Sequence, residues 1–235
     1  MKITVFNGSP RGENSNSHKI IKPLLEGAKK AGAETKEVFL IEKDIKQCLG
    51  CFFCWGKTPG KCAIKDDMEK LLDLYLESEY VGFATPVYGM YMTGLLKNFM
   101  DRFLPLATPH IRKNPDGSFY HDGRIKKFPK QFLVANSGFP GKNNFDLLKA
   151  VFSHQNMVLA VYRNSGEIFS SPESKDLPEI KEFFASLEEA GKEMIINGKV
   201  SENTIEKINK DIISDEDYMK QANQYWDQTI QESKK

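Results

Sequence analysis

Short runs of apolar residues alternate along this chain with segments in which apolar residues recur every three or four positions. The runs predict five buried strands, which cover residues 3–6, 37–41, 80–84, 130–136 and 157–162. The periodic segments between them predict four helices, and the first begins near residues 15–17 and stops at Gly32. Strands that alternate with helices in this way are typical of an α/β fold with a doubly wound parallel sheet.

Local signals predict where several of these elements begin. The sequence Asp66-x-x-Glu69 has the form of a capping box and predicts the start of the helix before strand 3. Thr93 is expected to cap the helix after that strand, because its hydroxyl can accept a bond from a first-turn amide. The helix between strands 4 and 5 is expected from about residue 143 to residue 152.

The pattern divides the chain into a sheet-forming part and a helical part. We expect one domain over residues 1–170, with a cysteine loop at 48–62 and a hairpin inserted at 105–129. Residues 171–235 are expected to form a charged helical extension, packed on the same domain or on a subunit interface. Its apolar stripes are formed by Phe183, Phe184, Leu187, Tyr218, Met219, Ala222, Tyr225 and Trp226.

Composition and charge narrow the class of partner. The chain has 235 residues, of which 40% are hydrophobic, so it can bury a full core. Its 33 basic and 32 acidic residues leave a formal charge of +1, which gives no attraction for nucleic acid or for an anionic membrane. The apolar run at the N-terminus is too short for a signal peptide, and no segment is long enough to span a bilayer. We therefore expect a cytoplasmic protein with small-molecule or protein partners.

The four cysteines of the chain lie close together in sequence. They are Cys48, Cys51, Cys54 and Cys62. Two-residue spacers followed by a Gly/Pro loop allow several thiolates to face one iron–sulfur cluster. Zinc knuckles usually have a longer spacer, a Cys51–Cys54 dithiol leaves the other two cysteines unexplained, and a reducing cytoplasm disfavours a disulfide. A cluster, metal-free thiols, zinc and a disulfide all stay open, and the spacing favours the cluster.

The segment between strand 1 and helix 1 has the composition of an anion site. Its amides and hydroxyls precede a helix N-terminus, where a negative charge is favoured, and Arg11 adds a charged donor. The P-loop and dinucleotide-binding glycine motifs are absent, so a monophosphate fits best. A polar turn with a helix cap is the structural alternative. The candidate phosphate ligands are Ser9, Arg11, Asn14, Ser15, Asn16 and Ser17.

Two further loops follow strands 3 and 4. Ligands of open α/β sheets bind beyond the carboxyl ends of the strands, where both loops are expected to lie. The first offers aromatic and polarisable side chains to a large ring, although an aromatic loop can also be core packing. The candidate residues are Pro86, Val87, Tyr88, Gly89 and Met90 in the first loop, and Ser137 and Gly138 in the second.

Three motifs together resemble the NAD(P)H-dependent FMN reductase family of flavodoxin-like proteins. They are Gly8-Ser9-Pro10-Arg11 with Ser15-Asn16-Ser17, then Thr85-Pro86-Val87-Tyr88-Gly89, then Lys97-x-x-Met-Asp101-Arg102, within roughly residues 1–165. The cysteine spacing is most similar to the iron–sulfur flavoprotein branch of that family, in which a compact motif binds a [4Fe–4S] cluster.

The resemblance implies a five-stranded sheet of order 2-1-3-4-5 with FMN across the carboxyl ends of its strands. The phosphate would lie on the 9–17 loop, and the ring would lie against residues 86–90 and 137–138. It also implies a homodimer or homotetramer in which a nicotinamide, NADH or NADPH, reduces the flavin, which then reduces an unidentified acceptor, through the cluster if one is bound. The flavin would carry the chemistry, so no catalytic acid or base is expected. The isolated histidines, which we expect at the surface or in packing, are His18, His110, His121 and His154.

Two alternative functions belong to other classes. A flavodoxin-like electron carrier would exchange single electrons with protein partners and would need no nicotinamide pocket. The long segment after strand 5 and the inserted hairpin favour the enzyme, since a carrier can leave its flavin edge open. A zinc-knuckle interaction module without a redox role is the third interpretation.

Overall fold

The computed structural model describes residues 1–153, 156–171, 174 and 176–234. His154, one of the four histidines expected in packing, lies outside them. The strands are β1 (Lys2–Asn7), β2 (Glu34–Phe39), β3 (Tyr80–Pro86), β4 (Ala107–Lys113), β5 (Phe119–Gly123), β6 (Lys130–Asn136) and β7 (Met157–Arg163). The α-helices are α1 (Asn16–Lys30), α2 (Met68–Glu77), α3 (Gly94–Asp101), α4 (Asp146–Phe152), α5 (Pro178–Asn197), α6 (Glu202–Asn209) and α7 (Asp215–Glu232). Among the described residues, no helix is both long and apolar enough to cross a membrane.

Five strands form one parallel sheet in the order β2-β1-β3-β6-β7. This is the spatial order expected from the sequence, and it differs only in numbering because the inserted hairpin supplies β4 and β5. Those two strands pair antiparallel in a separate two-stranded sheet, as predicted for residues 105–129. All five parallel strands therefore end at the same edge, where the predicted ligand loops begin.

Helices cover both faces of the sheet. Alternate side chains of the strands point to opposite faces, so Val5 packs in the core beneath α1 and α5, and Phe6 packs in the core beneath α2, α3 and α4. α1 and α5 touch through their backbones, because a Cβ at Gly27 would lie 1.8 Å from the Glu188 carbonyl oxygen. A Cβ at Gly191 would lie 2.0 Å from the Leu24 oxygen. α5 thus completes the core together with α1, and the division of the chain at residue 170 stays a prediction.

Several predicted boundaries were wrong for identifiable reasons. β2 covers Glu34–Phe39 rather than 37–41, because it is an edge strand whose pairing with β1 begins at the polar Glu34, and Leu40–Glu42 form a 3₁₀ turn. The predicted capping box does not form, because the Asp66 carboxylate binds Arg102 as well as the Met68 amide. The predicted helix at 143–152 begins as a 3₁₀ turn and becomes α-helical only at α4.

Candidate functional site

Backbone hydrogen bonds join the strand-end loops into one continuous edge. The Gly8 amide donates to the Ala84 oxygen at 2.8 Å, which joins the loop after β1 to β3. The Val87 amide donates to the Asn136 oxygen at 2.7 Å, and the Ser137 amide donates to the Arg163 oxygen at 2.9 Å. The predicted loops after β1, β3 and β6 therefore meet side by side, and the loop after β7 joins them.

The loop before α1 buries most of the predicted phosphate ligands. Ser9, Ser15, Asn16 and Ser17 are buried, whereas Arg11 and Asn14 are exposed on a 3₁₀ turn. Ser15 caps α1, since its Oγ accepts from the His18 amide at 3.0 Å. The amides of Asn16 and Ser17 lie in the first turn of the helix, where no carbonyl of the same helix can reach them. The loop thus presents amide donors at a positive helix end.

One buried donor on this loop indicates that the site fits an anion. The Asn16 Nδ2 group is buried and has no hydrogen-bond partner among the residues that the structure describes. A buried donor without an acceptor costs about 1–3 kcal/mol, and a phosphate oxygen would satisfy it. Because the neighbouring first-turn amides are donors as well, the residues present here fit the phosphate of FMN.

The only charged residue predicted to bind phosphate already has a partner. The Arg11 Nη2 atom lies 3.1 Å from Glu167 Oε1, and these side chains are 41% and 52% exposed. Glu167 lies in the loop after β7, which also contacts the phosphate loop through a 2.8 Å bond from Ser170 Oγ to Asn16 Oδ1. The loop after β7 therefore borders the candidate phosphate site, with an acidic side chain beside the arginine.

A hydrogen-bonded chain of polar side chains supports the same loop. The Ser9 amide donates to Asn7 Oδ1 at 2.9 Å, and Asn7 Nδ2 donates to Glu37 Oε1 at 2.8 Å. The second oxygen of Glu37 lies 2.7 Å from His18 Nδ1. His18 thus has a defined partner in the fold, in line with its expected packing role.

The loop after β3 forms a tight, strained turn. Tyr88 and Tyr91 exchange backbone hydrogen bonds of 2.9 and 3.1 Å around Gly89 and Met90, whose φ angles are +55° and +67°. Two successive positive φ angles are those of a type I′ turn, and a methionine there is uncommon. Pro86 is buried, Val87 is half-buried, and the side chains of Tyr88 and Met90 are exposed beyond the strand ends. They are accessible to a planar ligand.

Thr93 connects this turn to the phosphate loop. Its Oγ1 donates to the Gly8 oxygen at 2.7 Å and accepts from the Leu96 amide, so the predicted cap of α3 is confirmed. A Cβ at Gly8 would lie 2.7 Å from Leu96 Cβ, so only glycine allows α3 to approach the loop this closely. The first two ligand loops are therefore held together by one hydroxyl and one glycine.

The loop after β6 contacts the C-terminal helix. Ser137 is buried, and its Oγ accepts from the Phe139 amide at 3.1 Å. Gly138 is exposed, and its oxygen accepts from the Tyr218 hydroxyl at 2.8 Å. Burial raises the pKa of Tyr218, and the charge of Glu167 raises it further, so this hydroxyl stays a donor. Tyr218 was predicted only as part of an apolar stripe.

The four cysteines of the 48–62 loop differ in exposure. Cys48 and Cys51 are exposed, Cys54 is buried and Cys62 is half-buried. Burial raises the pKa of the Cys54 thiol, and the charges of Cys62, Cys48 and Cys51 when ionised raise it further. Within the described residues, no group of three or more His, Cys, Asp or Glu side chains is arranged to hold a metal ion. The cluster on these cysteines stays a prediction.

A buried ion pair anchors this loop to α3. Arg102 and Asp66 are each 1% exposed, and Arg102 Nη1 lies 2.6 Å from Asp66 Oδ2. Arg102 also donates to the Cys62 sulfur at 3.3 Å. Burial opposes both charges, yet the pKa of Asp66 is lowered by the bond from Arg102 and by two amide donors, and the pKa of Arg102 is raised. The loop therefore has a fixed base beneath its exposed cysteines.

Sequence reasoning did not identify several residues that shape this edge. Asn136 ends a strand and donates to Ser17 Oγ at 2.7 Å, so its strand-end position was an available signal. Glu167 and Asp215 gave no signal, because their partners are distant in sequence and neither residue belongs to a local motif. The predicted residues thus cover the ligand loops but not the residues that hold those loops.

Comparison with known proteins places these observations in a family. The sequence model described as NADPH-dependent FMN reductase matches residues 1–118. An iron–sulfur flavoprotein from Archaeoglobus fulgidus is 38% identical over 119 residues, which cover 50% of this chain and 53% of that protein. The chain spans about half the length of the curated relatives it matches. The phosphate loop, the cysteine loop and the loop after β3 lie in the matched part.

Solved structures share the fold over most of the chain. An NAD(P)H:quinone oxidoreductase from Methanothermobacter marburgensis has a TM-score of 0.61 at 14% identity and covers 83% of this chain and 96% of its own. An FMN-dependent NADH-azoreductase from Bacillus anthracis, in complex with FMN, has a TM-score of 0.59 at 17% identity, with coverages of 83% and 99%. At these identities the likeness shows the fold alone, an α/β flavodoxin-like sheet with a helical C-terminal part.

Proposed function

Because this chain belongs to the NADPH-dependent FMN reductase family, in its iron–sulfur flavoprotein branch, we propose that it is an oxidoreductase that binds FMN. It takes electrons from NAD(P)H and passes them to a small-molecule or protein acceptor. The observation that carries this proposal is the edge where the loops after β1, β3 and β6 meet, with unsatisfied donors at the start of α1. As in the family, we expect a cytoplasmic homodimer or homotetramer.

Two sets of residues would bind the two ends of FMN, its phosphate and its ring. The phosphate would be held by Ser9, Arg11, Asn14, Ser15, Asn16 and Ser17, of which Asn16 offers a donor without a competing acceptor. The ring would lie beside Pro86, Val87, Tyr88, Gly89 and Met90 on one side, and beside Ser137 and Gly138 on the other. Since the loop closes around a terminal monophosphate, we expect FAD to bind more weakly than FMN.

When bound, FMN would supply the redox chemistry, which is hydride acceptance from a nicotinamide and delivery of one or two electrons. The protein's residues would then bind and orient the flavin and shield it from water. Tyr88 and Met90 are exposed on a turn of fixed shape and can cover an apolar ring, which keeps water from it. Thr93 and Gly8 keep this turn at a constant distance from the phosphate loop.

We further propose that Cys48, Cys51, Cys54 and Cys62 are ligands of a [4Fe–4S] cluster. Support comes from the compact spacing of the four cysteines and from the anchored base of their loop, where Arg102 pairs with Asp66 and donates to the Cys62 sulfur. The test is anaerobic iron and sulfide analysis of the wild type and of Cys54→Ala. About four irons and four sulfides per chain in the wild type, largely lost in the variant, would support the cluster. Wild-type protein that binds FMN but neither iron nor sulfide would leave a plain flavin reductase.

The proposed function is tested by anaerobic absorption spectroscopy of the purified full chain. We expect FMN bands, and we expect NADH or NADPH to bleach them in a single mixing experiment. A protein that binds FMN but whose flavin is reduced by neither nicotinamide would instead be a flavodoxin-like carrier. A protein without flavin bands that also fails to take up added FMN would contradict both the reductase and the electron carrier.

A further inference from the structure

The first turn of α7 is hydrogen-bonded to two of the loops at the candidate flavin edge. Asp215 Oδ1 accepts from the Gly141 amide at 2.9 Å and from Asn164 Nδ2 at 3.0 Å. One turn further along, the Tyr218 hydroxyl donates to the Gly138 oxygen at 2.8 Å. One helical turn therefore holds both ends of the 138–141 segment and the residue that follows β7.

These contacts add to bonds that the loop after β7 makes with the same segment. The Ser165 amide donates to the Phe139 oxygen at 3.0 Å, and the Gly166 amide donates to the Ser137 oxygen at 2.7 Å. Gly141 has a φ of +85°, which glycine adopts without strain. Because glycine has no side chain, only backbone contacts can hold this conformation. Asn144 Nδ2 donates to the Pro140 and Gly141 oxygens at 2.7 Å, and the Asp215 carboxylate holds the Gly141 amide from α7.

The rest of α7 contributes few side chains to the core. Tyr218 is its single buried residue among those described, and Tyr225 and Trp226 are 61% and 58% exposed. A helix of 18 residues that buries one side chain adds little hydrophobic stabilisation. Its polar contacts are concentrated instead where it meets the two loops. α7 also lies outside the residues matched by the family model, so this support belongs to the unmatched half of the chain.

We propose that Asp215 and Tyr218 are positioning residues that hold residues 138–141 and Asn164 in the conformation that receives the flavin ring. The C-terminal helix is then part of the flavin site. This inference rests on the proposed function, because it assumes that the loop after β6 borders the ring. It assigns to α7 a role that its exposed surface and its distance from β1 in sequence do not indicate.

The carboxylate is tested with three variants of the full chain. Both bonds to Asp215 end on the same oxygen, so Asp215→Asn can keep them and Asp215→Ala cannot. We expect Asp215→Ala to raise the Kd for FMN roughly tenfold and Asp215→Asn to raise it less than about threefold. Glu216→Ala is the matched control, because it removes an exposed carboxylate from the same turn. Equal effects of Asp215→Ala and Glu216→Ala would overturn the proposal.

The hydroxyl is tested with Tyr218→Phe, which keeps the buried ring, against Tyr225→Phe on the exposed part of the same helix. We expect Tyr218→Phe alone to change the visible circular dichroism of bound FMN, a signal that a loss of global stability would not move. Unchanged dichroism and unchanged Kd in a folded Tyr218→Phe protein would contradict the role of the hydroxyl.

A measurement without flavin separates this inference from the proposed function. Amide hydrogen exchange of Gly141 in the flavin-free protein should accelerate in Asp215→Ala and stay near wild type in Asp215→Asn. If the wild type fails to bind FMN, the proposed function fails, whatever the exchange shows. If the wild type binds FMN and the variants match it in exchange and Kd, only the inference fails.

Discussion

Arg11 is the residue on which the electrostatics of the candidate phosphate site depend. Its guanidinium is bound to Glu167 across the loop, so a phosphate must share or replace that partner. Both side chains are about half exposed, so solvent weakens the ion pair, and an exchange of partners costs little. The phosphate loop therefore combines a movable charged donor with buried donors that are fixed.

Arg11→Ala should weaken FMN binding by tenfold to a hundredfold, because it removes a charge-assisted bond of about 1.5–3 kcal/mol. Glu167→Gln should act in the opposite direction and tighten binding a few-fold, since it removes a negative charge near the phosphate. Fluorescence titration measures the Kd for FMN of both variants, and both changes in Kd should be smaller at high salt. Binding of wild-type strength in Arg11→Ala would show that the arginine does not contact the phosphate.

Gly89 and Met90 form the second residue-level feature. A Cβ at Gly89 meets no described atom within 4 Å, so the constraint that the protein itself places on this position is the φ of +55°. We expect Gly89→Val to cost about 1–2 kcal/mol of stability and to lower FMN occupancy by distorting the turn. Met90→Asn should stabilise the turn, because asparagine tolerates positive φ. Thermal unfolding and flavin content measure both, and a Gly89→Val protein with full occupancy and unchanged stability would refute the expectation.

At the scale of single residues, sequence reasoning was effective where the signal was local. Thr93 as the cap of α3 is confirmed, and α1 begins within the predicted range of residues 15–17, because helix starts are recognised from their immediate neighbours. Asp66 was misassigned for a related reason. Its local pattern fits a capping box, but its carboxylate binds Arg102, which lies 36 residues away in the chain.

The base of the cysteine loop is an interaction between elements. Asp66 precedes α2 and Arg102 follows α3, so their buried ion pair connects two helices through the loop. Asp66→Asn should lower the free energy of unfolding by about 3–5 kcal/mol, because it leaves a guanidinium buried without a charged partner. Asp101→Asn is the control, since it removes the exposed pair with Lys97 and should cost under about 1 kcal/mol. Urea unfolding distinguishes them, and equal effects would show that burial does not strengthen the Arg102 pair.

Among the elements, the buried parallel strands were predicted best. β6 lies at the predicted residues, and β7 exceeds its prediction by one residue, because their apolar runs are bounded by polar residues. β2 was placed too late, since an edge strand with polar residues on one side lacks a continuous apolar run. The α7 stripe was predicted to cover a core or an interface, and most of it is exposed in this chain.

At the scale of the whole molecule, the contact between α1 and α5 joins distant parts of the chain in one core. Gly27→Ala and Gly191→Ala each place a methyl group within about 2 Å of a backbone oxygen, so one helix must move. We expect each to lower the free energy of unfolding by about 1–3 kcal/mol, the usual cost of overpacking. Gly94→Ala is the control, because a Cβ there meets no described atom within 4 Å. Calorimetry measures the three variants, and neutral substitutions at both contact glycines would contradict the close approach.

The alternation of strands and helices predicted a doubly wound parallel sheet, and the order of its strands came from the family resemblance. The contact between the first and the last core helix was not predicted, since Gly27 and Gly191 carry no pattern that pairs them.

That contact has a consequence for the order in which the protein matures on the ribosome. The phosphate loop and α1 are synthesised well before α5, so the face of α1 that packs on α5 stays uncovered until α5 has left the exit tunnel. A nascent chain that stops before Pro178 therefore exposes that face, because it has all five strands of the sheet but lacks the helix that packs on α1. We therefore expect flavin loading to follow the synthesis of α5, although the residues proposed to bind the phosphate are made long before that helix.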